Sequence, residues 1–164
     1  MKRFAVAFTG PSGSGKTTLV KKISKALIGE RKVAIIKHDP KDKATFDTVG
    51  KDSHTFSQTG AEVVVTSPTR TTYFSQEPKT LEEIIRMFKH FDILLVEGLK
   101  TLPLPRIAIF RNNMEESYLH YAEAIAIDQT IDIKRYNIPK NMDILDLNNT
   151  TQIIEWIDKN AKTV

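Results

Sequence analysis

This sequence predicts an α/β fold with a mostly parallel central sheet and helices on both faces, making three layers. Two observations predict it. Short apolar, β-branched runs alternate along the 164 residues with segments whose apolar side chains recur at helical spacing, the order typical of parallel sheets. A glycine-rich loop, residues 10–18, joins the first run to the first helix. The length and the lack of an internal repeat predict one domain over residues 1–164.

The predicted elements are short and follow one another closely. Predicted strands cover residues 3–9, 32–37, 61–66, 71–74, 92–97, 106–110 and 122–127. Predicted helices cover residues 17–27 and 150–159, with a short one across 52–58 and another beginning at Thr80. The helix from Thr80 carries Glu82 and Glu83 in its first turn, where acids complement the helix dipole.

Residues 10–18, Gly-Pro-Ser-Gly-Ser-Gly-Lys-Thr-Thr, form a complete phosphate-binding P-loop, or Walker A motif. Gly10, Gly13 and Gly15 allow positive φ and a close approach of the backbone to a ligand. The loop turns its amide N–H groups inward as a nest for anionic oxygens, and the following helix adds its dipole. Lys16 reaches the β- and γ-phosphates, and the Thr17 hydroxyl ligates Mg²⁺. The sequence therefore predicts a nucleotide site on a P-loop NTPase fold.

Two acids bracket the strand over residues 92–97, and only one of them is expected at the site. Ligands of parallel sheets collect beyond the carboxyl ends of the strands, and five steps separate Asp92 from Glu97, roughly 16 Å along a strand. Glu97 is therefore predicted as a Walker-B-like acid that holds Mg²⁺ or orients a water. The competing interpretation is a strand-end residue that faces solvent; Gly98, which gives the backbone room there, favours function.

The same edge rule selects further candidates. Asp39 follows the second strand and is predicted as a second Mg²⁺ ligand, although Asp-Pro also starts turns without any ligand. His38 is undecided. Asp128 ends another strand, and a carboxylate there can accept hydrogen bonds from the N1–H and amino group of guanine. The Asn-Lys-x-Asp signature is absent, and an ordinary turn aspartate is an equal alternative.

Composition narrows the class of partner and compartment. The net charge is +4 and the pI about 9.2, but the basic residues are scattered without an aromatic-interleaved stripe, so we expect no nucleic-acid partner. With no Cys, disulfides and thiolate metal sites are excluded. No apolar run approaches membrane-spanning length, so we expect no membrane association and a cytoplasmic location.

Four blocks in order carry a family resemblance. They are the P-loop, Val-Ala-Ile-Ile-Lys-His-Asp at 33–39, Gly-Lys-Asp-Ser at 50–53 with Gly60-Ala61, and Leu-Leu-Val-Glu-Gly-Leu-Lys at 94–100. Together they resemble the molybdopterin-guanine dinucleotide biosynthesis protein B (MobB) family over about residues 3–128. The family often has Phe where Leu99 stands, a mild departure.

The resemblance implies a homodimeric GTP-binding protein and at most a weak GTPase. It would assist the partner guanylyltransferase MobA, which joins GMP to molybdopterin.

The resemblance also assigns residues. It places the phosphates on Ser12, Gly13, Ser14, Gly15, Lys16, Thr17 and Thr18, and the metal-side acids on Asp39 and Glu97. Residues 50–53 would form part of the surface that meets the cofactor or the partner. GTP·Mg²⁺ would thus lie in the nest of residues 10–18, with Lys16 and Glu97 serving any slow hydrolysis.

Rival interpretations stay open. A P-loop small-molecule kinase would need a mobile arginine-rich lid, for which residues 111–121 offer only Arg111. A non-catalytic adaptor would use its nucleotide only to stabilise a partner complex. Arg70 and Arg111 are also candidates for an arginine finger, a role that contributes about 10³–10⁵ in rate, but a surface charge is the favoured interpretation of each. Lys51, Arg70 and Lys100 are predicted to offer a basic surface for the pterin phosphate. GTP and ATP are not distinguished by these residues.

Overall fold

The computed structural model describes residues 2–164, which divide into two compact units. The first unit comprises the chain up to His38 together with residues 90–164, and the second unit is Asp39–Lys89. In chain order the elements are β1 (Phe4–Thr9), α1 (Lys16–Leu27), β2 (Val33–Lys37), α2 (Asp52–Ser57), β3 (Val63–Thr66), β4 (Thr71–Phe74), α3 (Leu81–Met87), β5 (Ile93–Glu97), β6 (Arg106–Phe110), a 3₁₀ helix (Glu116–Tyr121), β7 (Ala124–Ile127), a 3₁₀ helix (Ile133–Arg135), β8 (Asp143–Asp146), α4 (Thr150–Asn160) and β9 (Lys162–Thr163). One functional domain over residues 1–164 stays a prediction.

The first unit is built on a seven-stranded sheet in the order β2-β5-β1-β6-β7-β8, with β9 beside β1. All pairs except β1–β9 are parallel. In register, Phe8 of β1 lies opposite Glu97 on one side and opposite Ile107 on the other. The predicted fold class, a mostly parallel α/β sheet, is confirmed.

Alternate residues of the central strands build two apolar layers, because successive side chains of a strand point to opposite faces. On one face, the side chains of β1, β5, β6 and β7 pack against α1 and α4. On the other face, Phe110 and Ile125 pack with Leu119 of the first 3₁₀ helix. Trp156 of α4 donates from Nε1 to Asp143 Oδ2 at 2.7 Å, which fastens this helix to β8.

The second unit has its own small sheet. β3 and β4 pair as an antiparallel hairpin, from Val63 opposite Phe74 to Thr66 opposite Thr71, and they do not join the parallel sheet. The helix predicted to begin at Thr80 does so with a capping box: the Thr80 hydroxyl accepts from the Glu83 backbone N–H, and the Glu83 carboxylate accepts from the Thr80 backbone N–H.

β8 and β9 were absent from the prediction. In β8, Asp143-Ile-Leu-Asp146, only Leu145 is buried, so the strand lacks an apolar run that would distinguish it. β9 has two exposed residues and is defined by its partner, β1. Both are formed by tertiary pairing, which local propensity does not encode.

Candidate functional site

The P-loop connects β1 to α1 at the point where the strand order reverses. The next strand along the chain, β2, lies on one side of β1, beyond β5, whereas β6 lies on the other side of β1. Ligands of open α/β sheets bind at such a switch point, outside the carboxyl ends of the strands. The topology thus places residues 10–18 at the expected ligand-binding edge.

Two glycines of the loop could not be replaced without moving the backbone. Gly10 has φ 136°, and a Cβ there would lie 2.4 Å from the carbonyl oxygen of Ile109. Gly15 has φ 99° and immediately precedes α1. Positive φ is costly for residues with a Cβ, and the approach of β6 to Gly10 adds a steric clash. The loop conformation therefore depends on its glycines, as the sequence predicts.

The loop also presents donors that a bound anion could satisfy. α1 begins after Gly15 with no side-chain cap and no acid in its first turn. The hydroxyl of Ser14 is buried, and it has no hydrogen-bond partner among the described residues. Uncapped N–H groups and the positive end of the helix dipole favour an anion, and a buried hydroxyl needs a partner. A phosphate fits both requirements.

Lys16 folds back onto the loop. Its Nζ donates to the carbonyl oxygens of Gly10 at 2.9 Å and Pro11 at 2.6 Å. Burial lowers the pKa of the Lys16 ammonium below its ordinary value; the carboxylate of Glu97 opposes this shift and the ammonium of Lys37 adds to it. An arriving phosphate would stabilise the charged form of Lys16.

Thr17 meets Glu97 across the edge of the sheet. The Thr17 Oγ1 lies 3.4 Å and 3.3 Å from the two carboxylate oxygens of Glu97, which is 9% exposed. Asp92, at the other end of β5, accepts from the Lys32 backbone N–H at 2.7 Å. Only Glu97 therefore joins the P-loop, as predicted. A hydroxyl and a carboxylate are the oxygen ligands that Mg²⁺ prefers.

These residues line one open pocket of about 340 Å³. Its lining residues are Ser12, Gly13, Gly15, Lys16, Thr17, Thr18, Lys37 and Glu97. Among residues 2–164 no three His, Asp or Glu side chains form a metal cluster, so a Mg²⁺ ion at Thr17 and Glu97 would need phosphate or water oxygens as well.

Lys37 is a member of this pocket that sequence reasoning missed. It ends β2 directly opposite Glu97 in the parallel register. The edge rule that selected Glu97 could have selected Lys37. His38, the next residue, donates its backbone N–H to the Glu97 carbonyl at 2.9 Å. A Cβ on Gly98, which has φ 97°, would lie 3.0 Å from the His38 Cβ, so this glycine keeps the strand ends close.

Asp39 opens the second unit as a turn residue. Its carboxylate accepts from the backbone N–H groups of Lys41, Lys43 and Ala44 at 3.1, 2.5 and 2.6 Å. This is the turn that Asp-Pro indicates. The role of Asp39 as a Mg²⁺ ligand stays a prediction.

The other residues predicted for function are divided between the two units. Gly50, with φ 87°, and Lys51 precede α2 in the second unit, to which Arg70 also belongs. Lys100 belongs to the first unit, where its Nζ lies 4.0 Å from the centre of the Tyr118 ring. The basic surface predicted from Lys51, Arg70 and Lys100 stays a prediction.

Asp128 is engaged within the protein. Its Oδ2 lies 3.0 Å from Nε of Arg111, and its Oδ1 accepts from the backbone N–H and the hydroxyl of Thr130. The Thr130 bonds, helped by Arg111, hold the pKa of the Asp128 carboxyl below its ordinary value. This corresponds to the turn aspartate that the sequence left as an alternative. Recognition of guanine by Asp128 stays a prediction.

A mostly parallel sheet with a phosphate-binding loop at its switch point defines the class of protein: this is the fold of the P-loop NTPases. Residues 5–130 match the family described as molybdopterin guanine dinucleotide synthesis protein B, MobB. The chain therefore belongs to the MobB family. Among residues 2–164, no helix has the length and apolar character needed to cross a membrane.

Relatives and solved structures agree with this family. A molybdopterin-guanine dinucleotide biosynthesis adapter protein of Haemophilus influenzae is 32% identical over 162 residues, covering 93% of this chain and 86% of the relative. The Escherichia coli protein of the same name is 31% identical over 169 residues, covering 94% and 93%. The crystal structure of Bacillus subtilis MobB matches with a TM-score of 0.75 over 96% of this chain and 98% of that chain, at 21% identity.

Proposed function

We propose that this protein is a GTP-binding adapter in molybdenum cofactor biosynthesis, assisting a MobA-like guanylyltransferase that attaches GMP to molybdopterin. The observation that carries the proposal is the pocket in which Lys16, Thr17 and Glu97 converge, in a chain whose relatives are named adapter proteins of molybdopterin-guanine dinucleotide biosynthesis. Adapter here means that nucleotide binding, more than turnover, serves the partner.

The residues of the pocket suit GTP with Mg²⁺. The phosphates would lie in the nest of residues 10–18, where the uncapped start of α1 and the Ser14 hydroxyl need acceptors. Lys16 would exchange the carbonyls of Gly10 and Pro11 for phosphate oxygens. Thr17 and Glu97 would hold Mg²⁺, which neutralises phosphate charge when bound.

Turnover in this proposal is slow at most. The Glu97 carboxylate is buried against the Thr17 hydroxyl, which favours a metal-side position over activation of a free water. Any hydrolysis would rely on charge stabilisation by Lys16 and on a water held through Glu97. A GTPase of this kind gains rate mainly from residues supplied by a partner.

A partner-binding role also fits the second unit taken by itself. Several of its large apolar side chains are exposed, with Phe46 at 75% and Val49 at 81%. Phe56, Val64 and Val65 are exposed as well. Exposed apolar side chains mark an interaction surface where they form a contiguous patch. We assign this unit to contacts with a second copy of the chain in a homodimer or with the transferase.

The rival small-molecule kinase is disfavoured by the segment that would have to be its lid. Within residues 111–121 the chain forms a 3₁₀ helix, Glu116–Tyr121, whose Leu119 is buried in the core. Tyr118 packs edge-on against Phe110 with ring centroids 6.2 Å apart. A lid must open and close, whereas this segment contributes to the core of the first unit.

Calorimetric titration with GTP and Mg²⁺ tests the nucleotide proposal. Wild type and the exposed-lysine control Lys159→Ala should bind GTP alike, and Lys16→Ala should lose about 100-fold or more in affinity, since one charge-assisted contact contributes up to about 3 kcal/mol. Equal binding by Lys16→Ala and wild type would contradict the proposal.

The adapter role needs its own assay. Formation of the guanine dinucleotide by a MobA-like transferase should rise on adding wild type and should not rise on adding Lys16→Ala. Transfer of label from [γ-³²P]GTP to a metabolite would instead support the kinase. No stimulation by wild type would refute the adapter role while leaving nucleotide binding intact.

A further inference from the structure

The end of β6 brings a guanidinium to the P-loop. Arg111 follows β6 directly, and a Cβ on Gly15 would lie 3.9 Å from both Cζ and Nη2 of Arg111. Gly15 immediately precedes α1, whose first backbone donors lack a side-chain cap. A second cationic group beside Lys16 therefore lies against the part of the loop that would surround the phosphates.

Asp128 holds this guanidinium from the other side. Phe110 and Ile127 are paired in register, so Arg111 and Asp128 each lie one residue beyond a paired strand end. The Arg111 Nε is 3.0 Å from Asp128 Oδ2, and the carboxylate is only 8% exposed, whereas the Arg111 side chain is 41% exposed. The buried acid thus fixes the Nε side and leaves the Nη side open.

A short chain of hydrogen bonds fixes the carboxylate in turn. Thr130 donates its backbone N–H to Asp128 Oδ1 at 3.0 Å, and its hydroxyl accepts from the Asn112 backbone N–H at 2.7 Å. Asn112 has φ 66°, which turns the chain sharply after Arg111. Among residues 2–164, neither Nη atom of Arg111 donates a hydrogen bond to an acceptor. The arginine is oriented, and its outer donors are available.

We propose that Arg111 is a phosphate-contacting residue of the nucleotide site and that Asp128 is its positioning residue and does not read the base. The inference rests on the proposed nucleotide function and extends it. A guanidinium offers paired donors that match phosphate oxygens, and one anchored through Nε loses less freedom when it binds. Asp128 acts through Arg111, because its own oxygens already accept bonds from Arg111 and Thr130.

The test uses binding of GTP, xanthosine triphosphate and tripolyphosphate to the full chain. Arg111→Ala should weaken GTP and tripolyphosphate alike, by about 10- to 100-fold, because the lost contact is to phosphate. Arg111→Lys, which keeps the charge but not the fork, should lose less. Arg135→Ala, which removes an exposed arginine that forms an ion pair with Asp132, is the matched control and should bind like wild type.

Asp128 is tested by coupling and by base preference. Asp128→Asn should weaken GTP binding in the wild-type background and add little in Arg111→Ala, and the ratio of GTP to xanthosine triphosphate affinity should not change. If Asp128 contacted the base, Asp128→Asn would raise the affinity for xanthosine triphosphate, because the Asn amide can donate to the carbonyl that xanthine carries in place of the guanine amino group. A gain for xanthosine triphosphate would overturn the positioning role. If Asp128→Asn fails to fold, Thr130→Ala, which removes one bond to the carboxylate, takes its place.

Two failures are distinguishable. If wild type binds GTP in a Lys16-dependent way while Arg111→Ala binds like Arg135→Ala, the inference fails and the proposed function survives. If Arg111→Ala weakens GTP but not tripolyphosphate, its contact is with the nucleoside, and the inference fails in the same way. If wild type and Lys16→Ala bind no nucleotide, both fail.

Discussion

The Thr17 hydroxyl and the Glu97 carboxylate, 80 residues apart in sequence, lie 3.3 Å from each other at the carboxyl edge of the sheet. The parallel pairing of β1 with β5 brings them together, since Phe8 and Glu97 are register partners. A P-loop hydroxyl beside a buried strand-end acid is an arrangement suited to a divalent ion bound with phosphates. The consequences of that juxtaposition can be measured.

Glu97→Gln should weaken GTP binding in the presence of Mg²⁺ by about tenfold and change metal-free binding little, because the amide keeps the shape but loses the charge that attracts the ion. Titrations with and without Mg²⁺ measure the difference. Glu155→Gln, which removes an exposed carboxylate on α4, is the control and should match wild type. Equal losses with and without the metal would place Glu97 outside the metal site.

Gly10→Ala should destabilise the fold by about 2 kcal/mol or more, because a Cβ would lie 2.4 Å from the Ile109 carbonyl at a positive φ. For a chain of this size that lowers Tm by roughly 4–8 °C. Gly29→Ala is the matched control, since nothing lies within 4 Å of its added Cβ and its φ is not in the positive range. A Gly10→Ala melting curve that coincides with the Gly29→Ala curve would argue against this loop geometry.

GTP affinity should fall as pH rises toward the ordinary Lys value of 10.5, and the fall should begin below it, because burial lowers the pKa of Lys16. In this pH window Lys16 is still protonated in the unfolded chain but has lost its proton in the folded chain. The free energy of unfolding without ligand therefore increases as pH rises, whereas the affinity for GTP decreases. Lys37→Ala should move the fall in affinity to higher pH, since Lys37 lowers the Lys16 pKa.

Lys16→Arg is the control for that pH profile, because a guanidinium stays charged throughout the range. Its affinity should stay flat where the affinity of wild type declines. A decline in Lys16→Arg equal to that of wild type would assign the titration to another group.

Arg106→Met should destabilise the first unit by about 2–4 kcal/mol. The Arg106 side chain is 2% exposed and donates to the carbonyls of Leu99 at 2.8 Å and Lys100 at 3.0 Å, in the loop that follows Glu97. Removing it leaves buried carbonyls unpaired, a cost of about 1–3 kcal/mol each when water cannot enter. Chemical denaturation measures the loss, and an unchanged midpoint would show that the loop does not depend on Arg106.

Local motifs and one rule of sheet topology predicted part of the candidate site from the sequence. The spacing of residues 10–18 identifies the P-loop, and the carboxyl-edge rule predicted that Glu97, and not Asp92, lies beside it, as the structure shows. The same rule applied to β2 would have included Lys37, whose partner in register is Glu97.

What the sequence could not provide depends on tertiary contacts. The Arg111–Asp128 pair joins two turns 17 residues apart, and no spacing pattern indicates it. β8 is an edge strand with acids at both ends, so its apolar signal is only Ile144-Leu145, of which Leu145 alone is buried. The hairpin of β3 and β4 was predicted as two strands, but its separation from the parallel sheet follows from pairing that only the structure shows.

Nucleotide binding at residues 10–18 can be measured by thermal unfolding with GTP and Mg²⁺. Ligand at about 100 times Kd stabilises a protein by about 2.7 kcal/mol, which corresponds to a rise in Tm of roughly 5–10 °C for a chain of this size. We expect this rise for wild type and Lys159→Ala and its loss in Lys16→Ala. A rise of equal size in Lys16→Ala, or none in wild type, would contradict it.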